Sequence, residues 1–153
     1  MRTVDTKSYL DMMKGLLQEG KDVPVLISGN SMSPFLIHQR DTILLSPVKR
    51  PLKKGDMALY QRKTGQYVMH RICRVRKKEG RAEFYFIGDA QMDIEGPIGR
   101  EQIAGVVTAV QRKGKWLKPG SFWWEFFRLV WPRVIPMRKT IQKAYSSLVP
   151  KKK

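Results

Sequence analysis

Three side chains with the chemistry of acyl transfer lie within or just after apolar segments of the sequence. Ser31 follows the run VPVLIS and lies inside ISGNSMSPF, His70 lies in YVMHRICRV, and Asp89 closes FYFIGD. A serine hydroxyl attacks a carbonyl when a nearby base removes its proton and a third group orients that base. Ser31, His70 and Asp89 therefore predict a nucleophile, a general base and an orienting acid.

The segment around His70 predicts a strand on which Val68, His70 and Ile72 share one face. A histidine between apolar neighbours on an inward face is partly buried, and burial makes its pKa movable. The alternative for His70 is a core or edge histidine with a satisfied hydrogen bond. The alternative for Asp89, which follows a glycine, is an ordinary Gly-Asp turn.

The stretch that contains Ser31 is rich in residues that suit turns, and a plain turn is its simplest interpretation. In a catalytic interpretation, the turn exposes Ser31 at a rigid strand end, and Pro34 stiffens it. The Ser31 backbone N–H is then one donor to an oxyanion, and the Gly29 region or the Ser28 hydroxyl adds another. Gly29 also allows a close approach of the backbone.

Four further residues carry groups that can act as a nucleophile or a base. His38 lies seven residues past Ser31 and is expected to be a loop residue. Cys73 falls on the opposite strand face from the base, which argues against a Cys-His pair. Lys53 or Lys54 serves as a base only if the histidine points away, because an exposed lysine is protonated at neutral pH.

Several of these segments resemble the boxes of one peptidase family. SGNSMSP resembles the Gly-x-Ser-Met-x-Pro box of the signal peptidase I family and of the related self-cleaving repressor peptidases, in which the serine before the methionine is the nucleophile. YVMHRI resembles the second box of the archaeal and endoplasmic-reticulum branch, where His-Arg stands in place of Lys-Arg. The spacing between Ser31 and His70, 70 − 31 = 39 residues, is similar to that of the family.

The resemblance covers roughly residues 23 to 111, because RDTILL, LKKGDMALY and FIGDAQ also resemble family segments. It departs from the family at Phe35, where a threonine is frequent, and at Ala90, where an asparagine follows Gly-Asp. A second aspartate can occur downstream in the histidine branch, and Asp93 is the candidate for it. The resemblance implies a serine endopeptidase that removes a leader or signal segment with small side chains before the cut. We expect an extended peptide substrate and neither metal nor cofactor.

The pattern along the chain predicts a mainly β fold. Residues 5 to 19 have the apolar spacing of an amphipathic helix, and Gly20 ends it. Short segments rich in Val, Ile, Leu, Tyr and Phe follow, and they predict an antiparallel, barrel-like sheet. We therefore divide the chain into an N-terminal helix (1–22), a signal-peptidase-like β-domain (23–113) and a basic aromatic helical segment (114–153).

The charge of the chain implies an anionic partner. Thirty Lys and Arg against 13 Asp and Glu give a net charge of +17, and residues 116–153 contribute nine basic residues minus one acid, or +8. Two helices are expected there, from about Ser121 to Trp131 and onward to about Leu148. An apolar face is expected on the first, formed by Phe122, Trp123, Phe126, Phe127, Val130 and Trp131.

Two interpretations of this aromatic face remain open. It either packs on the sheet as a hydrophobic cap or lies on an anionic membrane surface. Nucleic acid is the less favoured partner, because no recognised nucleic-acid module is visible.

The single cysteine argues against a disulfide framework. The N-terminus lacks the apolar core of a signal peptide, and no run of 18 apolar residues predicts a transmembrane helix. These features predict a cytoplasmic protein, or one that is peripheral at the membrane.

Two further functions compete with the peptidase. A self-cleaving regulator would need a cleavable segment and a DNA-binding domain, and only 30 residues precede Ser31. A non-catalytic binding module would not need Ser31, His70 and Asp89 together.

Overall fold

The computed structural model describes residues 6–27, 29, 31–32, 35–90 and 93–131. An N-terminal helix, α1 (Thr6–Gln18), precedes eight strands. The strands are β1 (Val23–Leu26), β2 (Thr42–Ser46), β3 (Met57–Gln61), β4 (Tyr67–Lys78), β5 (Arg81–Ile87), β6 (Glu95–Gly99), β7 (Ile103–Arg112) and β8 (Lys115–Leu117).

Two shorter helical pieces complete the description. A 3-10 turn, Arg100–Gln102, joins β6 to β7. The C-terminal helix consists of an α-helical turn, Phe122–Glu125, and a π-helical part, Phe126–Val130. No helix in the described part of the chain is long and apolar enough to cross a membrane.

All eight strands belong to one antiparallel sheet that curves into half of a barrel. The strand order is β1-β2-β7-β3-β4-β5-β6, and β8 adds to β7. β4 pairs with β3 through its first residues and with β5 from Arg71 onward. The expected mainly β, antiparallel fold is therefore confirmed.

The sheet buries apolar side chains on both faces. In β3, Met57 and Leu59 point into one core, whereas Ala58 and Tyr60 point into the other, as the two-residue repeat of a strand requires. The first core lies under α1, β1, β2 and the C-terminal helix, and the second lies among β3 to β7. This double burial explains why β3 reads as a continuous apolar run.

Helix α1 forms where the apolar spacing predicts it. Met13 and Leu17 are buried in the first core, and Gly20, with φ +85°, ends the helix. Gly105 in β7 allows the close approach, because a Cβ there would lie 3.0 Å from Leu17 Cδ1 and 3.1 Å from Ser46 O. The N-terminal helix thus packs on the sheet itself.

The C-terminal helix packs on the same core, although its buried face differs from the expected one. Trp124, absent from the expected face, is buried together with Phe127, and both rings contact Phe35. Phe122 and Trp123 are 71% and 44% exposed. The aromatic residues are therefore divided between the core and the surface. The second expected C-terminal helix lies outside the described residues.

The strands β6 and β8 were not expected from the sequence. β6 has the sequence EGPIG, whose two glycines and proline are typical of a loop. β8 is only three residues long and completes a hairpin with the end of β7. Both strands form because a neighbouring strand supplies hydrogen-bond partners for their backbones. The local composition does not reveal those partners.

We predict that Phe127→Ala lowers the free energy of unfolding by about 3–5 kcal/mol, because the buried ring stacks on Phe35 at a centroid distance of 4.7 Å. The matched Phe122→Ala, at the exposed position, should cost less than about 1 kcal/mol. Urea unfolding at neutral pH measures both. Equal effects would mean that the C-terminal helix does not share the first core.

Candidate active site

Ser31 and His70 line one groove of about 570 Å³. Ser31 lies in the loop between β1 and β2, and His70 lies in the first half of β4. The walls of the groove come from β1 and β4, its floor from Ile43, Leu45 and Leu59, and one end from Tyr9 and Leu10 of α1. A groove with mainly apolar lining and a few convergent polar groups is the usual form of a ligand site.

The loop that carries Ser31 is fixed at several points. Gly29 has φ +91°, and its N–H donates to Nδ1 of His38 at 2.8 Å. The Ser31 carbonyl accepts from the Ala90 N–H at 2.9 Å, and the buried Met32 side chain anchors the loop in the first core. Ser31 itself is half-buried. The backbone around the hydroxyl is thus held by its neighbours on both sides.

These contacts change the expected roles of two loop residues. The N–H of Gly29 is already donated to His38, so it is not a free donor for an oxyanion. The glycine is needed instead for its positive φ, which other residues rarely adopt. Ser28, the other expected donor, lies outside the described residues. His38 is a loop residue, as expected, and it holds the serine loop.

The buried carboxylate of Asp41 fixes the base of the same loop. It accepts from the N–H of Ile37 at 2.8 Å, from Nε of Arg40 at 2.8 Å and from the N–H of Lys113 at 3.2 Å. Burial raises the pKa of Asp41, but these hydrogen bonds outweigh burial and hold the pKa below its ordinary value. The carboxylate therefore stays ionised and ties the loop to the β7–β8 turn.

His70 is buried in the structure, with 5% of its surface exposed. Its Nδ1 lies 3.5 Å from the hydroxyl of Tyr60, and the two rings meet edge-on at a centroid distance of 6.3 Å. The pKa of His70 is lowered to about 4, mainly by burial and to a smaller extent by Arg62, whereas Glu95 opposes the shift. The imidazole is therefore neutral at pH 7 and can accept a proton.

Three side chains form a network behind His70. Glu95 accepts two hydrogen bonds from Nε of Arg62, at 2.9 and 3.0 Å, and also interacts with the hydroxyl of Tyr60. Tyr60 is completely buried, and its pKa is raised by burial and by the Glu95 carboxylate. The hydroxyl of Tyr60 thus keeps its proton at neutral pH.

Asp89 does not contact His70, contrary to the sequence expectation. Both of its oxygens accept from the Arg71 guanidinium at 2.9 Å, and both side chains are buried. Arg71 also donates to the Gly55 carbonyl at 3.0 Å. Arg71 and His70 point to opposite faces of β4, so an acid bound to Arg71 cannot orient the ring of His70. We therefore correct the role of Asp89 from orienting acid to partner of Arg71.

The remaining candidates lie apart from the groove. Asp93 is exposed and makes no described contact with His70, so it does not replace Asp89. Lys53 and Lys54 are exposed and do not line the groove. Cys73 donates to the carbonyl of Tyr85 at 3.3 Å.

Tyr60 and Glu95 are the residues near His70 that sequence reasoning missed. Tyr60 reads as an ordinary core residue, and Glu95 lies in a segment that resembles a loop. The one signal that could have identified Tyr60 is its position diagonal to His70 on the neighbouring strand. Recognising that position requires the register between β3 and β4.

No protein-family model matches this chain, and no curated protein matches it.

We predict that burial of neutral His70 makes stability depend on pH between about 6.5 and about 4. The unfolded chain binds a proton near the ordinary value of 6.5, whereas the folded chain binds it only near 4, so the unfolded state holds more protons in this window. The free energy of unfolding should thus fall as the pH is lowered through it, by up to about 3 kcal/mol from this residue.

The variant His70→Gln, which does not titrate, should lose that part of the slope. Urea unfolding of both proteins at pH 7 and pH 4.5 measures the difference, since the carboxylates contribute equally to the two slopes. Parallel pH profiles would show that His70 is not buried as a neutral ring.

Proposed function

We propose that this protein is a serine endopeptidase of the signal-peptidase type, which cleaves a leader or signal segment from a peptide or protein precursor. The observation that carries the proposal is the groove itself, because Ser31 and His70 are both among the residues that line it, and His70 is neutral at pH 7. The resemblance of the segments around Ser31 and His70 to the peptidase boxes supports the same chemistry. The substrate would bind as an extended chain between two strand edges.

The first free edge is that of β1. Ile27 exchanges hydrogen bonds with the β2 side, because its N–H donates to Asp41 O and its carbonyl accepts from Gln39 N, both at 2.8 Å. Backbone groups alternate in direction along a strand, so those of Pro24 and Leu26 point away from β2. This edge offers two carbonyls and one N–H, because proline has no donor.

The second free edge is the beginning of β4. Gln66 O accepts from Arg62 N and Ile72 N donates to Asp56 O, both at 2.7 Å, so the even-numbered residues of this strand face β3. By alternation, the backbone groups of Tyr67 and Met69 face the other side, where β5 begins to pair only at Arg71. A peptide laid in the groove can therefore extend the sheet by pairing with β4, with β1 or with both.

The proposed reaction begins at the side of His70 that faces away from Tyr60. The Ser31 hydroxyl gives its proton to Nε2 of His70 as Oγ forms a bond to the peptide carbonyl carbon, and the carbonyl π electrons move to oxygen. The Ser31 N–H donates to that oxygen. When the C–N bond breaks, the imidazolium gives the proton to the leaving amine, and water then hydrolyses the acyl-enzyme by the same steps. Ser31 and His70 are not hydrogen-bonded in the described structure, so the proposed mechanism requires this bond to form when the substrate binds.

We predict that the protein produces new termini in a library of proteome-derived peptides, as detected by mass spectrometry. Ser31→Ala and His70→Ala should each lower the yield by at least about 10²-fold, because they remove the nucleophile or the base. Ser121→Ala, outside the groove, serves as the matched control and should keep the wild-type yield. Absence of cleavage by the wild type, or equal cleavage by Ser31→Ala, would refute the peptidase and favour the binding module.

We also propose that the exposed side of the C-terminal helix rests on an anionic membrane surface. Phe122, Trp123, Leu129 and Val130 are all more than 40% exposed on this one short helix, while Trp124 and Phe127 anchor it to the core. Large apolar side chains held outward by a fixed helix can enter the lipid interface. The net charge of +17 favours an anionic surface over a neutral one.

We predict that the protein sediments with phosphatidylcholine vesicles that contain phosphatidylserine, and far less with phosphatidylcholine alone. The double variant Phe122→Ala/Trp123→Ala should weaken this binding by about tenfold or more, because it removes two interfacial aromatics. Val75→Ala, an exposed apolar position on the β4–β5 hairpin, is the control. Equal sedimentation of the double variant and wild type would exclude this surface.

A further inference from the structure

We propose that one face of the β4–β5 hairpin binds the negatively charged headgroups of an anionic membrane, through Arg74, Arg76, Lys78 and Arg81. This inference rests on the membrane contact proposed for the C-terminal helix and adds to it a second, electrostatic contact on the same side of the sheet. It is independent of the proposed peptidase chemistry, because none of these four residues lines the groove.

The β4–β5 hairpin extends beyond the strands that pack around it. β4 has 12 residues, but β3 pairs only with its first part, Tyr67–Arg71. Beyond the bulge that follows Ile72, the described ladder of β4 is with β5, and residues 74–81 are all exposed. At about 3.3 Å per residue, the 78 − 71 = 7 steps from Arg71 to Lys78 span about 23 Å. Residues 74–85 thus form a two-stranded arm.

The strand pairing places the basic residues on one face of this arm. Phe84 and Phe86 belong to the second core, so the odd-numbered residues of β5 point to the opposite side of the sheet. Directly paired residues of an antiparallel ladder lie on the same side. The β4 partners of residues 81, 83, 85 and 87 therefore share that side, and they are Lys78, Arg76, Arg74 and Arg71.

The same side of the sheet carries the C-terminal helix. The guanidinium carbon of Arg71 lies 5.6 Å from the ring centroid of Phe35, which packs against Phe127 of that helix. At the end of the helix, Trp131 donates to the Asp89 carbonyl at 2.8 Å, and the Asp89 carboxylate binds Arg71. The helix therefore ends beside the base of the arm, so its exposed apolar side chains and the basic face can meet one surface together.

The charge and the aromatic content of the face favour lipid over nucleic acid. Its four exposed basic side chains are accompanied by one acid, Glu83, which gives a net charge of 4 − 1 = +3. The aromatic residue on this face of the arm, Tyr85, is half-buried, and the Arg74 guanidinium carbon lies 5.8 Å from its ring centroid. A ring covered in this way is no open platform for a nucleotide base. Basic residues beside a helix with exposed apolar side chains fit an anionic lipid surface.

Sedimentation of the full chain with vesicles tests this face. Arg76→Gln/Lys78→Gln should weaken binding to phosphatidylcholine vesicles that contain phosphatidylserine by about tenfold or more, because it removes two charges that face the lipid. The matched control, Lys63→Gln/Lys77→Gln, removes two charges from the β3–β4 turn and from the opposite face of the arm. It should weaken binding by less than about threefold. All four side chains are exposed, so both variants should unfold in urea as the wild type does.

The effect of salt shows whether the contact is electrostatic. Raising the sodium chloride concentration should reduce the difference between wild type and Arg76→Gln/Lys78→Gln, because ions screen exposed charges. A difference that persists at high salt would contradict an electrostatic contact. Equal weakening by the two double variants would mean that the net charge alone attracts the protein, and it would overturn the assignment of this face.

The remaining outcomes separate this face from the helix and from nucleic acid. If Arg76→Gln/Lys78→Gln binds vesicles as the wild type does but loses affinity for a short DNA duplex, the face belongs to nucleic acid and the proposal is overturned. If only Phe122→Ala/Trp123→Ala weakens vesicle binding, the helix contact stands and the basic face fails. The reverse pattern would refute the helix contact and support the basic face. A wild type that binds no anionic vesicles would refute both.

Discussion

The buried ion pair between Arg71 and Asp89 joins the parts of the site that are distant in sequence. Arg71 lies next to His70 in β4, and Asp89 lies next to Ala90, whose N–H holds the Ser31 carbonyl. Trp131 donates to the Asp89 carbonyl at 2.8 Å, so the end of the C-terminal helix meets the same point. Removing one partner of such a pair would leave an uncompensated buried charge, a change that typically costs about 3–5 kcal/mol. The separation of Ser31 from His70 depends on this junction.

The two faces of β4 carry different polar side chains of the site. Odd-numbered Arg71 points toward Phe35, with its guanidinium carbon 5.6 Å from the ring centroid. Its contacts stabilise the fold. Even-numbered His70 points toward Tyr60. The adjacent His-Arg pair in the sequence thus has different partners, Tyr60 for His70 and Asp89 for Arg71. Each acid forms an ion pair with its own arginine, Asp89 with Arg71 and Glu95 with Arg62.

The serine loop illustrates how apolar residues position a polar one. Met32 and Phe35 are buried on either side of the turn and belong to the first core, where Phe35 also contacts Trp124 and Phe127. The methionine of the SGNSMSP motif is therefore a packing anchor for the hydroxyl that precedes it. Because the C-terminal helix packs in the same core, its aromatic residues support the loop that carries Ser31.

Local patterns in the sequence determined the elements and the choice of the groove residues. The apolar spacing of α1, the strand character of the six longer apolar runs and the placement of Ser31 in a turn all follow from side-chain periodicity and backbone preference. The inward face of His70 follows from the alternation with Val68 and Ile72. These properties depend on neighbours within a few residues, so the sequence contains them.

The tertiary structure determines which basic side chain each carboxylate contacts. Asp89 and Glu95 are both plausible carboxylates in the sequence, and only the register of β3 to β6 brings Glu95 to Tyr60 and Asp89 to Arg71. The same holds for β6 and for the division of the C-terminal aromatics between core and surface. Contacts across a sheet depend on pairing between strands that are distant in sequence, and one residue of register moves a side chain to the opposite face. That physical fact is why the sequence could single out Ser31 and His70, which line one groove, but could not identify the contacts of Asp89 and Glu95.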